Sequence, residues 1–97
     1  MIVYNTTFHA HNDAVERFLE WLRAEYIPRA TVEPRLTLVL NAEESDGRNY
    51  SLQFRASDVD TLRAWYEEVG DDLVEEMAKR FGHQVAGFST LLEEVDL

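Results

Sequence analysis

Two segments of this 97-residue chain repeat apolar residues at helical spacing, and the segments around them alternate apolar with polar residues. The first helical segment runs from about Asp13 to Ile27. The second begins at Ser57 or Asp58 and ends near Phe81. Apolar residues three and four positions apart line one face of a helix, whereas a period of two is typical of a half-buried strand. The pattern therefore predicts a mixed domain of helices and strands.

Four segments have strand character: Ile2–His9, Arg35–Ala42, Tyr50–Ala56 and Gln84–Val95. Asp46-Gly47, between the second and third of these, is a strong hairpin signal. The resulting order, β-α-β-β-α-β, is the ferredoxin-like arrangement. We predict an α+β fold with a four-stranded antiparallel sheet and both helices on one face. We expect the whole chain, residues 1–97, to form a single ferredoxin-like domain, since its length is close to that of a typical domain.

Three local patterns predict how the helices begin and end. Asp13 followed by Glu16 fits a capping box at the start of the first helix. Gly70 lies inside the second helix, where glycine costs about 1 kcal/mol relative to alanine. We therefore expect a kink or short break there, with Asp72 starting the helix again. Gly82 is expected to end it.

Strand alternation predicts which side chains meet the helices and which lie on the open face of the sheet. The expected helix-facing residues are Tyr4, Phe8, Leu38, Leu52, Phe54 and Phe88. Mainly polar residues are expected on the open face, together with Val3, Val39 and Leu91. A partly apolar open face commonly marks an interface. We therefore expect a homodimer of the dimeric α+β-barrel type, formed through the open sheet face.

The charge balance disfavours several partners. The formal net charge is −10, from 19 acidic and 9 basic residues, so neither nucleic acid nor an anionic membrane surface is an expected partner. The segment from Arg48 to Phe54 loosely echoes an RNA-binding pattern, but Tyr50 and Phe54 are expected to face the helices. The chain has no cysteine, and its first strand lacks the features of a signal peptide, so cytoplasmic residence is expected.

Four stretches carry a family resemblance: "MIVYNTT", "FLEWLRAEYIP", "YSLQF" and "KRFGHQVAGFSTLLEEV". They resemble the domain-of-unknown-function family 4286, a relative of the antibiotic-monooxygenase-like dimeric α+β-barrel group, over nearly the whole chain. The resemblance implies a ferredoxin-like fold and a face-to-face dimer, but no activity. The chain departs from the family between Pro28 and Arg35, which looks short, and at Ser89, where a basic residue often stands.

His9, His11 and Asp13 spell H-x-H-x-D, close to the metal-binding run of metallo-β-lactamase-type hydrolases. Such sites need further ligands from distant loops on a longer scaffold. We interpret the run as the end of a strand, with His9 on the open face, followed by a loop with His11 and the helix cap Asp13. We therefore predict no metal site and no cofactor.

The candidate ligand-binding residues are a polar cluster expected on the open face: Asn5, Thr7, Gln53, Arg55 and Ser89. Arg55, half-buried in a dimer, would require an anion, either a carboxylate across the interface or a small acidic ligand. An aromatic ligand is the other possibility. No catalytic residue is predicted, because no nucleophile adjoins a base. The predicted function is a homodimeric ligand-binding or interaction module. The alternative is a cofactor-independent monooxygenase-like enzyme with a cavity between sheet and helices.

Overall fold

A computed structural model describes residues 1–29, 34–40 and 46–97 of the chain. Its four strands are β1 (Ile2–His11), β2 (Pro34–Leu38), β3 (Gly47–Ala56) and β4 (Val85–Glu93). They form one antiparallel sheet in the order β2-β3-β1-β4, so the two edges are β2 and β4. The predicted α+β ferredoxin-like fold is confirmed. Residues 41 and 42, at the end of the predicted second strand, lie outside the described residues.

Each of the two helical segments is interrupted by a π-helical turn. The first consists of α1 (Val15–Trp21), a π turn (Leu22–Tyr26) and a 3-10 turn (Ile27–Arg29). The second consists of α2 (Val59–Trp65), a π turn (Tyr66–Gly70), α3 (Asp71–Phe81) and a 3-10 turn (Gly82–Gln84). None of the helices in the described ranges is long and apolar enough to cross a bilayer.

Both helical segments pack on one face of the sheet, which buries the even-numbered residues of β1 and β3. Phe18 of α1 contacts Phe8 of the sheet and Phe81 of α3, with ring centroids 5.1 and 5.8 Å apart. Trp65 lies 4.7 Å from Phe54 and completes the aromatic core between sheet and second helix. Tyr50 and Phe54 are buried there, as predicted. The odd-numbered residues of β1 and β3 lie on the open face.

The start of the first helix differs from the prediction. β1 continues two residues further than expected, to His11, so His11 lies in the strand and not in a loop. The amide N–H of Ala14 donates to the carbonyl oxygen of His11 at 2.8 Å, and this turn leads directly into α1. Ala14 occupies the N-cap position without a side-chain hydrogen bond, so Asp13 is not the cap. The other predicted cap is confirmed, because the Asp58 carboxylate accepts a hydrogen bond from the Thr61 N–H.

Gly70 does not break the second helix. Its backbone is helical, with φ −62° and ψ −41°, and Asp72 does not begin a new helix. A β-carbon at this position would lie 3.0 Å from Tyr66 Cδ2 and 3.2 Å from Trp65 Cζ3. The predicted break was wrong, because glycine here makes room for two aromatic rings within a helical segment that continues through a π turn.

The alternation of β4 has the opposite phase to the prediction. Thr7 is opposite Phe88, so Phe88 lies on the open face. Tyr4 is opposite Leu91, and Thr6 is opposite Ser89, so Leu91 and Ser89 lie on the helix side. A strand that is apolar on both faces gives no signal for its phase, and a shift of one residue exchanges the faces.

Two details of the β2–β3 hairpin also differ. Gly47 belongs to β3, where it pairs with His11, and among the described residues only Gly82 has a positive φ, of 53°. Asp46-Gly47 is therefore not a positive-φ turn. Leu38 faces the helix side opposite Tyr50, but it stays 40% exposed, since β2 is an edge strand beyond the reach of the helices.

Candidate functional site

The structure brings three of the five predicted site residues together on the open face. The Nδ2 amide of Asn5 donates to Thr7 Oγ1 at 3.2 Å, and Asn5 pairs with Gln53 across β1 and β3. Asn5 Oδ1 accepts a 2.5 Å hydrogen bond from the hydroxyl of Ser51, which the sequence analysis did not single out. This network satisfies the amide of Asn5 within the chain.

Arg55 lies on the same face but is already paired with a carboxylate. Its guanidinium donates a hydrogen bond to Glu94 Oε1, and both side chains are partly exposed. Glu94 follows β4 directly, and its N–H donates to the carbonyl oxygen of Met1 at 2.9 Å, which holds it beside the sheet. The anion predicted from a dimer partner or a ligand is therefore supplied by the same chain.

Ser89 does not join this cluster, because it lies on the opposite face of the sheet. There it lines a cavity of about 270 Å³ between the sheet and the second helix. The cavity is lined by Tyr4, Thr6, Phe8, Tyr26, Tyr66, Val74, Met77, Gly87, Phe88 and Ser89. None of these described lining residues carries a charge.

A pair of hydroxyl groups forms part of the cavity wall on the sheet. Thr6 Oγ1 and Ser89 Oγ are 2.9 Å apart, and either can be the donor. Thr6 is only 7% exposed and is the one buried polar residue among those described. A buried hydroxyl is costly unless it is hydrogen-bonded. Ser89 therefore satisfies Thr6, and each of the two oxygens keeps hydrogen-bonding capacity for a third group.

Three tyrosines surround the cavity. Burial raises the pKa of Tyr26 well above its ordinary value, and neighbouring Tyr4 and Tyr66 raise it further, because a phenolate there would repel theirs. The pKa of Tyr66 is also raised, chiefly by desolvation and then by Tyr4 and Asp71. Tyr26 and Tyr66 therefore remain neutral phenols near pH 7. A neutral phenol can both donate and accept a hydrogen bond.

The two π turns supply two of these tyrosines. Tyr26 is the last residue of the first π turn, and Tyr66 is the first residue of the second. π turns inside α-helices are rare and occur frequently at functional sites. The only sequence signal for them was Gly70 within an apolar stripe, which leaves space for the ring of Tyr66.

A smaller pocket adjoins the cavity. It has a volume of about 120 Å³, and Val59, Leu62, Arg63 and Leu91 contribute to its walls. Tyr4 and Tyr66 line both spaces, and their ring centroids are 5.9 Å apart. Tyr66, which is partly exposed at the surface, therefore stands between the two spaces.

Another groove is larger but less suited to a ligand. It measures about 390 Å³ and lies between the two helical segments. Exposed charged side chains contribute to its walls, namely Arg17, Glu20, Glu25 and Arg80. Long charged side chains on a surface are well solvated, and ordering them around a ligand costs conformational entropy. The aromatic cavity beneath β4 is therefore the better candidate site.

The chain has a ferredoxin-like α+β fold. A model of the family "Domain of unknown function (DUF4286)" matches residues 1–95, and the chain belongs to this family. No curated protein matches the sequence.

Several proteins of known structure have a fold similar to that of this chain. An antibiotic biosynthesis monooxygenase-like protein from Deinococcus radiodurans has a TM-score of 0.66 at 12% identity, with 100% of this chain and 95% of that chain covered. SnoaB, a cofactor-independent oxygenase from Streptomyces nogalater, has a TM-score of 0.59 at 14% identity, with 99% and 94% covered. An uncharacterised NIPSNAP domain protein from Burkholderia xenovorans has a TM-score of 0.66 at 18% identity, with 98% and 95% covered. At these identities the similarity shows the fold alone.

Proposed function

We propose that this protein binds a small, uncharged, aromatic ligand in the cavity beneath β4. The observation that carries the proposal is the lining of the cavity, where aromatic and aliphatic side chains surround a few hydroxyl groups. Ligand sites are typically apolar pockets in which a small number of polar groups fix the orientation. A planar ring would lie against the aromatic side chains, and its oxygen substituents would meet the hydroxyls of Thr6, Ser89 and the tyrosines.

The size and charge of the cavity restrict the ligand further. Its volume of about 270 Å³ is just below the range of about 300–1,000 Å³ that is usual for drug-sized ligands, so the ligand is small. A carboxylate or ammonium group would have no opposite charge among the described lining residues, and its desolvation would be costly. Neutral phenols and quinones are the class that fits. Arg55, already paired with Glu94, is not needed for binding.

Two adjacent substitutions on β4 test the binding site. Ser89→Leu places a larger apolar side chain in the cavity, whereas Thr90→Leu makes a similar change on the open face. Binding of 1,4-naphthoquinone can be followed by quenching of tryptophan fluorescence, since Trp65 packs against two cavity tyrosines, Tyr4 and Tyr26. We expect saturable binding to the wild type and to Thr90→Leu, and at least tenfold weaker binding to Ser89→Leu. Equal affinities for all three proteins would contradict the proposal.

The proposed assembly is a homodimer formed through the open sheet face. Although the chain has a net charge of −10, none of the described strand residues that face this side is an Asp or Glu. Two such chains repel each other, and burying a carboxylate in an interface is costly. The two carboxylates that reach this face, Glu94 and Asp46, are already paired with Arg55 and His9, so among the described residues self-association through it buries no unpaired acid.

Exposed apolar side chains on β4 support the same assembly. Phe88 and Leu92 lie on the open face and are 65% and 43% exposed. An exposed apolar edge strand invites association unless it is covered. Sedimentation velocity should give twice the monomer mass of 11.3 kDa for the wild type and for Leu38→Glu, where a partly exposed leucine on the opposite face of the sheet changes. Phe88→Glu should give monomers. A monomeric wild type at high micromolar concentration would refute the dimer.

A second candidate function is cofactor-independent oxygenation of the bound aromatic. Its support is a helix-side cavity in a fold shared with a cofactor-independent oxygenase. In the simplest form, an activated CH₂ group becomes a carbonyl: one oxygen atom of O₂ enters the substrate and the other leaves as water. The substrate supplies all four electrons. Against this, no described lining residue is an ionised acid or base. Oxygen consumption with anthrone, which carries such a CH₂ group, suppressed by Ser89→Leu, would favour the enzyme over the binding protein.

A further inference from the structure

We propose that His9, His11 and Asp46 form a binding site for a divalent transition-metal ion such as Zn²⁺. The three residues lie at the end of the sheet where β1 meets the start of β3, away from the aromatic cavity. Each offers one ligand atom, and these atoms all lie within 4.8 Å of one another. Two imidazole nitrogens and one carboxylate oxygen form a donor set that suits zinc and its neighbours in the first transition series.

The strand places the two histidines side by side. His9 and His11 are two residues apart in β1, so both side chains project from the open face. Their ring centroids are 5.8 Å apart. Asp46 reaches them because its carbonyl oxygen accepts a 2.9 Å hydrogen bond from the N–H of Asn12, which ties the segment before β3 to the end of β1.

His9 is held in the tautomer that a metal ligand requires. Its Nδ1 lies 2.6 Å from Asn49 Oδ1. The amide oxygen can only accept, so Nδ1 carries the proton, and in the neutral ring the lone pair is on Nε2. Metal-binding histidines almost always donate their second ring N–H to an oxygen in this way. Asn49 thus orients His9 before any metal arrives.

The spacing of the first two ligand atoms already suits one metal ion. His9 Nε2 and Asp46 Oδ1 are 3.4 Å apart. Two ligands bound at the usual zinc distances in tetrahedral geometry are about 3.3 Å from each other. An ion pair between protonated His9 and Asp46 would also explain this contact, but it does not account for the nearby imidazole of His11, which projects from the same face of β1.

The absence of a side chain at Gly47 leaves room for the His9 ring. A β-carbon at Gly47 would lie 2.9 Å from His9 Cε1 and 2.2 Å from the carbonyl oxygen of Ala10. A glycine at this position therefore allows the strands to approach and the ring to lie over the backbone. Three protein ligands would leave one tetrahedral position of the ion open to water or to a small ligand.

Only part of the H-x-H-x-D run belongs to the proposed metal site. Its two histidines belong to the group, but Asp13 lies in the turn before α1 and does not. The carboxylate comes instead from Asp46, which is 35 residues from His11 in sequence and adjacent in space. This difference separates the proposed site from the motif and provides a control for the experiment.

Isothermal titration of ZnCl₂ into protein without a histidine tag tests the proposal, with tetrahedral Co²⁺ absorption as a second readout. We expect one ion per chain at micromolar or tighter affinity. His9→Asn, His11→Asn and Asp46→Asn should each weaken binding at least tenfold, and Asn49→Leu should weaken it about tenfold or more. Asp13→Asn and His83→Asn, which lie outside the group, should bind as the wild type does.

The residues replaced by asparagine are exposed or partly exposed, so the fold should tolerate their replacement. Circular dichroism before titration checks that each variant is folded. Absence of heat and of Co²⁺ absorption at 100 µM metal, about a hundredfold above the expected dissociation constant, would overturn the proposal. So would wild-type affinity in folded His11→Asn. Loss of binding in Asp13→Asn with retention in Asp46→Asn would assign the metal to the sequence motif and would also overturn it.

Discussion

The hydroxyl oxygens of Thr6 and Ser89 lie 2.9 Å apart across β1 and β4, and this hydrogen-bonded pair forms part of the wall of the aromatic cavity. Thr6→Val keeps the shape of the side chain but removes the hydroxyl. We expect the free energy of unfolding to fall by about 0.5–1.5 kcal/mol, because Ser89 can turn to water while the hydrogen bond is lost. Urea denaturation measures this. Thr90→Val, at an exposed position on the open face, is the control and should change the stability little.

Tyr66→Ala should enlarge the binding site. Because Tyr66 lines both the cavity and the smaller pocket, its removal should open one space into the other. We expect the variant to bind anthraquinone, a three-ring probe, at least tenfold more tightly than the wild type does. Fluorescence quenching measures the affinities. Glu67→Ala, at the next and exposed position, should leave the preference for two-ring probes unchanged, and an unaltered preference in Tyr66→Ala would show that the ring does not separate the spaces.

Gly70→Ala should destabilise the protein, although alanine is the better helix former by about 1 kcal/mol. The new β-carbon would meet Tyr66 and the buried ring of Trp65 at 3.0 and 3.2 Å. Overpacking of this kind costs about 1–3 kcal/mol, so we expect a net loss of about 1 kcal/mol in urea denaturation. Glu68→Ala, an exposed helical position nearby, controls for helix propensity. A more stable Gly70→Ala protein would mean that the rings adjust freely.

Asp58 should make the stability depend on acid pH. Hydrogen bonds from the N–H and hydroxyl of Thr61, 2.8 and 3.0 Å long, lower the pKa of the Asp58 carboxyl in the folded protein. In the unfolded chain this group titrates near its ordinary value of about 3.9. Its contribution is therefore fully present above that pH and is lost as the pH falls through the lower folded value.

The difference in urea midpoint between wild type and Asp58→Asn isolates this contribution. Asparagine keeps a cap acceptor but has no charge to lose. We expect the advantage of the wild type over Asp58→Asn to be constant from neutral pH to about pH 5 and to shrink below pH 4. A difference that does not vary with pH would show that the carboxylate charge plays no part in the cap.

The order of the strands and helices was predictable because the apolar residues of β1, β3 and the second helix each lie mainly on one face of their element. Tyr4, Phe8 and Phe54 alternate with polar residues, so their burial against the helices follows from the pattern. The phase of β4 was not predictable. Its even and odd positions are similarly apolar, and Ser89 was therefore assigned to the wrong face, apart from the cavity that it lines.

The candidate sites depend on contacts that have no sequence signal. Asp46 approaches His11 only because the start of β3 pairs with the end of β1. Glu94 satisfies Arg55 because β3 and β4 flank β1, and Val3 of β1 is opposite both Arg55 and Leu92, which brings Glu94 within reach of Arg55 across β1. In each case the partner lies tens of residues away, so single-sequence spacing rules had nothing to detect.

The π turns that carry Tyr26 and Tyr66 have an evolutionary consequence. Each such turn holds one residue more than a regular helix needs, and one residue corresponds to a rotation of about 100°. Deleting a single codon in either segment would convert it to ordinary α-helix and rotate its tyrosine by about 100° relative to the residues on the other side of the deletion. We expect such a deletion to reshape the wall of the aromatic cavity while the strands beneath keep their pairing.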